Sequence, residues 1–257
     1  MPDFYDSAEL YELENQGVPG DAKYFAKLAK QAGRVLDLGA GSARIAIAMA
    51  KAGAKVTGIE LSESMLEIAS ERIAKLDAAT VKRIDLYHGD MTSFDLGKKF
   101  PLIVIPFRSF MHLLTVKDQR ACLQCCRNHL TKSGQLVIDL FDPNLRIIGE
   151  SLGIGGTSLR KLADVPYKEG HVTISHYRMG CPGEQRLEED WYYEYFDASG
   201  LSRWKKLQRL KLRYLYRFEM EHLFELEGLK VIKLEGDFKD GKYDHGTEQL
   251  WTVKLSS

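Results

Sequence analysis

Val35-Leu36-Asp37-Leu38-Gly39-Ala40-Gly41-Ser42-Ala43-Arg44 decides how the rest of the chain is read. An apolar run is stopped by glycine, and an Ala/Ile/Met-rich segment from Ser42 to Lys51 follows with helical spacing, closed by Gly53. Glycine at 39 and 41 lets the backbone turn sharply and approach a ligand closely. A Gly-x-Gly behind a strand also occurs in purely structural turns, and two carboxylates separate the readings. Lys55-Val56-Thr57-Gly58-Ile59 reads as a second strand ending at Glu60, about twenty residues on, where an acid accepts hydrogen bonds from ribose hydroxyls. A third strand near Ile84 to Tyr87 runs into His88-Gly89-Asp90-Met91 and brings another acid to the same crevice. Between them Ser62 is placed to cap a helix that starts Ser62-Glu63-Ser64-Met65.

What is missing selects the ligand. A dinucleotide site wants a third glycine so that a helix N-terminus can meet pyrophosphate, and Arg44 occupies that place. Asp37, two residues before the first glycine, is unwelcome beside a phosphate and suitable beside an ammonium. A ligand with ribose, adenine, a cationic amino-acid tail and no phosphate fits, and S-adenosylmethionine is that ligand.

Outward from this segment, strands and helices alternate. Leu102 to Ile105 forms a fourth apolar strand and Val116 to Leu130 a helix, and Gly134 turns into a fifth strand, Gln135 to Leu140. Such alternation implies a mostly parallel sheet covered on both faces, here doubly wound, Rossmann-like and seven-stranded. After Pro143 the texture changes. Gly149, Gly153, Gly155 and Gly156 mark a loop, and period-two patterns over His171–Met179, Glu189–Phe196 and Leu207–Tyr216 read as antiparallel strands. Phe218 to Glu227 returns to helix, with Leu229–Leu234 and Leu250–Leu255 as closing strands of a last βαβ region. The expected division is a core over 1–145 with an N-terminal helical cover, an antiparallel insertion over 146–217, and the rest of the core over 218–257. The insertion is expected to roof an acceptor pocket or to make a homodimer contact.

The core segments resemble the class I S-adenosylmethionine-dependent methyltransferases from about Tyr11 to Asp142, with a weaker echo over Gly228–Val253. Asp37-Leu38-Gly39-Ala40-Gly41 is similar to their glycine-rich first motif, Glu60 to their ribose carboxylate, and Gly89-Asp90-Met91 to their adenine-contacting turn. Leu130-Thr131-Lys132-Ser133-Gly134-Gln135-Leu136 resembles their entry to the fifth strand, with Gln135 in place of a second glycine. The loop Pro106-Phe107-Arg108-Ser109-Phe110-Met111-His112-Leu113 is similar to that of the small-molecule subgroup containing the amino-sugar N,N-dimethyltransferases. The resemblance implies an enzyme whose cofactor contacts are Asp37, Gly39, Ala40, Gly41, Glu60, Leu61, Met65, Asp90, Met91 and Phe107. It implies that His112 faces a small-molecule acceptor, where an imidazole suits the removal of a proton from an ammonium or phenol, and that Tyr11 covers the site, with Tyr5 as a second candidate. Tyr11 is followed by glutamate where the family has aspartate.

Composition narrows the alternatives. Lys and Arg number 36 and Asp and Glu 36, so no net field draws the chain to nucleic acid or anionic membrane. No apolar run approaches bilayer length, and the acidic, aromatic Met1-Pro2-Asp3-Phe4-Tyr5-Asp6 is unlike a targeting signal, so a cytoplasmic location is expected. Cys122, Cys125, Cys126 and Cys181 lack the partners of a zinc set, and no metal is expected. Trp191, Tyr192, Tyr193, Tyr195 and Phe196 read as sheet packing, and His171 and His176 as polar surface of the insertion. The stripe Arg209, Lys211, Arg213, Arg217 reads as a solvated strand face rather than an RNA surface, because acidic residues flank it. An RNA or protein methyltransferase, a non-catalytic binding module and a nicotinamide oxidoreductase are the competing functions.

Overall fold

The computed structural model describes residues 8–14, 17–152, 158–244 and 248–256; Tyr5, Gly153, Gly155 and Gly156 lie outside them. In chain order the elements are α1 (Ala8–Glu14), α2 (Asp21–Ala32), β1 (Arg34–Leu38), α3 (Arg44–Lys51), β2 (Lys55–Glu60) and α4 (Glu63–Ala74). The single-turn α5 (Ala78–Val81), β3 (Ile84–His88), β4 (Phe100–Ile105), α6 (Val116–His129) and β5 (Leu130–Phe141) come next. Then follow α7 (Leu145–Ser151), β6 (Arg160–Tyr167), β7 (Gly170–Cys181), β8 (Arg186–Phe196) and β9 (Ser202–Arg213). The chain closes with α8 (Arg217–Leu226), β10 (Leu229–Glu235) and β11 (Glu248–Leu255).

Two compact units result. One spans 17–143 and 215–257; the other joins α1 to residues 144–214, in place of the expected division at 145 and 217. The larger unit holds a seven-stranded sheet in the order β10-β11-β5-β4-β1-β2-β3. Its strands are parallel except β11, which runs antiparallel to both β5 and β10. The order reverses between β4 and β1, and the carboxyl ends of strands at such a switch point frame a ligand crevice. Val35, Leu36, Asp37 and Leu38 of β1 are all buried, as a central parallel strand covered on both faces requires. Ile45, Ala46, Met49 and Ala50 give α3 one apolar face at helical spacing, and Phe25 and Ala29 of α2 join the same core. At the other end of the sheet, Trp251 of β11 is fully buried and meets Phe224 of α8 edge-on at 5.4 Å.

Several local expectations are corrected. The first core helix begins at Arg44 rather than Ser42, because Ala43 takes a left-handed φ of 64° and keeps the preceding residues in the turn. The fifth strand begins at Leu130, with Gly134 inside it. Pairing with β4 jumps from Phe100↔Leu130 to Leu102↔Gln135, and a Cβ on Gly134 would lie 3.0 Å from the Phe100 carbonyl oxygen. The closing region is a helix followed by an antiparallel strand pair, not a βαβ unit. Gly149 lies within α7, which starts because Asn144 accepts hydrogen bonds from the Arg146 and Ile147 N–H groups at 3.0 and 3.2 Å.

In the smaller unit a four-stranded antiparallel sheet runs β6-β7-β8-β9. Its first strand was not expected: Arg160 to Tyr167 is rich in charge and carries Pro166, as edge strands do. Val172, Ile174, Trp191 and Tyr193 form a buried cluster with Leu10 of α1, so these aromatics pack the sheet. His176 lies against Trp191 at 5.4 Å and is half-buried, which corrects its reading as surface. His171 stacks on Phe196 at 5.2 Å.

Candidate active site

The glycine-rich turn is tied to the end of β2: the N–H groups of Gly39 and Ala40 both donate to the Ile59 carbonyl, at 2.9 and 3.1 Å. Gly39 has a φ of 72° and Gly41 of 55°, where side chains are strained. Space gives a second reason for Gly39. A Cβ there would stand 2.6 Å from the Ser109 side chain and 3.4 Å from the end of Met91. At Gly41 the nearest group is the end of Met65, at 3.5 Å from a Cβ position. The turn, the Met91 turn, the α4 start and the loop after β4 therefore converge on one place, at the switch point of the sheet.

Asp37 lies under this turn, fully buried, with no hydrogen-bond partner on either carboxylate oxygen among the described residues. Burial pushes its pKa up to about 7; Glu60 adds to the rise and Arg44 opposes it. A buried acid without a partner is costly, and a cationic ligand relieves that cost. Glu60 ends β2 half-buried and bridges the mouth, accepting from the Gly41 N–H and the Ser62 N–H, both at 2.8 Å. Ser62 caps α4 as expected, accepting from the Met65 N–H at 3.3 Å. Met65 and Ala40 are buried, whereas Leu61 is 63% exposed at the rim. Asp90 is exposed and uses Oδ1 to hold its own turn, accepting from the Thr92 N–H and hydroxyl at 2.8 Å. Arg44 fills the place of a third glycine by leaving the turn: its guanidinium pairs bidentately with buried Asp21 of α2, at 2.9 and 2.5 Å. It also lies over the Phe107 ring at 5.3 Å.

Phe107 and Arg108 follow β4 with left-handed φ values of 52° and 67°, and a short 3-10 helix, Ser109–His112, comes next. The Ser109 hydroxyl donates to the Pro106 carbonyl at 2.8 Å and reaches the Gly39 carbonyl at 3.4 Å, so this loop touches the glycine-rich turn. His112, half-buried, is the last residue of that 3-10 turn. Beneath the loop lies a residue the sequence reading passed over. Asp139 of β5 is fully buried, and its Oδ2 accepts from the Phe107 N–H at 3.0 Å. Burial raises its pKa to about 8, with Glu248 adding to the rise and Arg108 opposing it. Its signal was available: it is the one acid in the otherwise apolar stretch Leu136–Phe141. The Arg44–Asp21 pair left no such trace, since its members stand 23 positions apart. Tyr11 belongs to the other unit, on α1, where it is half-buried against the aromatic cluster of the antiparallel sheet.

Residues 35–134 match a family model described as a methyltransferase domain. A dTDP-3-amino-3,6-dideoxy-alpha-D-glucopyranose N,N-dimethyltransferase of Streptomyces fradiae is 29% identical over 222 residues, 76% of this chain and 83% of that one. The corresponding dTDP-3-amino-3,4,6-trideoxy-sugar enzyme of Streptomyces venezuelae is 26% identical, over 90% of this chain and 93% of the relative. Among solved structures, the CcbJ methyltransferase from Streptomyces caelestis shares the fold with a TM-score of 0.80 at 22% identity, covering 99% of each chain. CalS10, an amino pentose methyltransferase from Micromonospora echinaspora solved with S-adenosylmethionine, gives 0.73 at 22% identity, over 96% of this chain and 95% of that one. The chain therefore carries a methyltransferase domain over residues 35–134 and resembles, in sequence and in fold, the S-adenosylmethionine-dependent sugar N-methyltransferases.

Proposed function

We propose that the chain methylates the amine nitrogen of a small amino sugar, with His112 as the group that takes the proton from the acceptor. The observation that carries this is the loop after β4: Ser109 rests on the glycine-rich turn, and His112 ends the same 3-10 turn. The names of the two Streptomyces relatives favour an amino-sugar nitrogen over oxygen. S-adenosylmethionine supplies an electrophilic methyl on a sulfonium that leaves without assistance. Asp37 would meet its ammonium, Glu60 its ribose hydroxyls, and Asp90 with Met91 its adenine. Ala40, Gly41, Leu61, Met65 and Phe107 would line it. An ammonium acceptor is inert until deprotonated, so a positioned imidazole is the one catalytic group this chemistry needs. The rest is alignment of nucleophile, methyl and sulfur in a site that excludes water.

The test is a panel of free and nucleotide-linked amino sugars, their hydroxyl counterparts, phenols and carboxylates, read by S-adenosylhomocysteine release. Amines are expected to turn over and their hydroxyl counterparts not. His112→Ala is expected to lower kcat by about 10²–10⁴-fold, the range for a general base, with affinity for S-adenosylhomocysteine unchanged. Turnover of carboxylates alone, or full activity in His112→Ala, would overturn the assignment.

A further inference from the structure

We propose that Asp139 is the positioning residue of the loop after β4. Its carboxyl, with the neighbouring Arg108–Glu248 ion pair, clasps Phe107 and Arg108 in their left-handed turn and so fixes where the 3-10 helix ending in His112 begins. Two adjacent non-glycine residues at φ 52° and 67° form an unfavourable pair. Such backbone persists only where its surroundings over-determine it, and it gathers at functional sites.

Here the surroundings can be named. The Phe107 N–H donates to Asp139 Oδ2 at 3.0 Å. The Arg108 guanidinium bonds Glu248 Oε1 at 2.7 Å and lies over the Phe141 ring at 5.4 Å. The Ser109 hydroxyl closes the turn on the Pro106 carbonyl at 2.8 Å. Asp139 is fully buried, and its Oδ1 has no partner among the described residues. Apolar packing alone would fill this position with another aliphatic side chain at lower cost. The charged groups around it are Glu248 from β11, Arg108 from the loop and Asp21 from α2. Burial raises its pKa to about 8, Glu248 and Asp21 adding to the rise and Arg108 and the Phe107 N–H opposing it, and the carboxyl offers Phe107 an acceptor oxygen in either protonation state. Asparagine offers the same oxygen and leucine does not.

The effect on catalysis rests on the reading that His112 faces the acceptor; the clasp itself does not. The experiment therefore measures both, on full-length Asp139→Leu and Asp139→Asn. Backbone amide exchange followed by NMR is expected to be at least tenfold faster at Phe107 in Asp139→Leu, with the β1 and β2 amides unchanged. S-adenosylhomocysteine affinity by calorimetry should stay within threefold, and kcat should fall at least tenfold. Asp139→Asn should recover most of both losses at pH 7, which a purely volumetric role would not predict. Unchanged protection at Phe107 in Asp139→Leu overturns the proposal, as does an asparagine variant as impaired as the leucine one. If the leucine variant does not fold, Glu248→Ala, which removes the acceptor of the Arg108 guanidinium, takes its place. Faster exchange at Arg108 and Ser109 then supports the clasp, and unchanged exchange overturns it. Lost protection at Phe107 in a protein whose parent methylates no amine supports the clasp and removes the acceptor assignment instead.

Discussion

At Asp37 the cost of a buried acid, unpartnered among the described residues, shows up as a dependence on pH. Unfolded, the carboxyl ionises near its ordinary value of 3.8; folded, burial moves that to about 7. Between those values the native state keeps a proton that the unfolded chain has released. Stability without ligand therefore falls as pH rises through this window, and the full cost is present above about pH 7. Asp139 adds a parallel decline reaching to about 8. Asp37→Asn abolishes the first titration, so its melting temperature at pH 8 is expected to exceed the parent's by several degrees, with the difference shrinking steadily as pH falls toward about 4. The same change removes the countercharge proposed for the cofactor's ammonium, and calorimetry should show S-adenosylmethionine affinity falling at least tenfold. A variant that binds as tightly as the parent would mean that the acid serves the fold and not the ligand.

At the scale of the element, legibility followed periodicity and capping chemistry. β1, the Ser62-capped α4 and the acids at the ends of β2 and β3 could be read because each has a local signal: an apolar run, a hydroxyl before a helix, a carboxylate at fixed spacing. α7 was hidden because Gly149 reads as a breaker, and the Asn144 cap that overrides it is a single residue. β6 was hidden because an edge strand buries little and so shows weak alternation, and β5 was cut short by Gly134, which sits at a register shift. The elements that meet at the candidate crevice were therefore visible in the sequence, whereas the supports of the loop after β4, Asp139, Arg108 and Glu248, were not, since they meet only once β4, β5 and β11 are paired. The cap can be measured. Ser62→Ala removes the acceptor for the Met65 N–H and should cost about 1 kcal/mol, or about 2–4 °C in melting temperature for a chain of this size. The loss should appear both with and without S-adenosylhomocysteine, since Ser62 reaches α4 and not the buried Asp37.

For the whole molecule the balance of 36 acids against 36 bases is also a balance in place, and that bears on which acceptors are admitted. On one face of the antiparallel sheet Lys205, Arg209 and Lys211 lie across from Glu194, Asp190 and Glu188 in the β8–β9 register, at 3.0, 2.9 and 3.8 Å. Exposed pairs of this kind contribute about 0–1 kcal/mol each, so stability is a weak reason for them. Their larger effect is to cancel a cationic stripe that would otherwise attract polyanions. RNA affinity comes mainly from counterion release and needs uncancelled positive charge along a track. The parent is accordingly expected to show no salt-dependent binding to a fluorescent single-stranded RNA. Changing Glu188 and Glu194 to glutamine and Asp190 to asparagine removes three negative charges, moving the formal net charge from 0 to +3. That variant should bind the same RNA, with log affinity falling against log salt at a slope of about −2, as about three phosphate contacts on a single strand dictate. Salt-sensitive binding by the parent itself would restore a nucleic-acid acceptor to consideration, because the stripe would then be acting despite its neutralising partners.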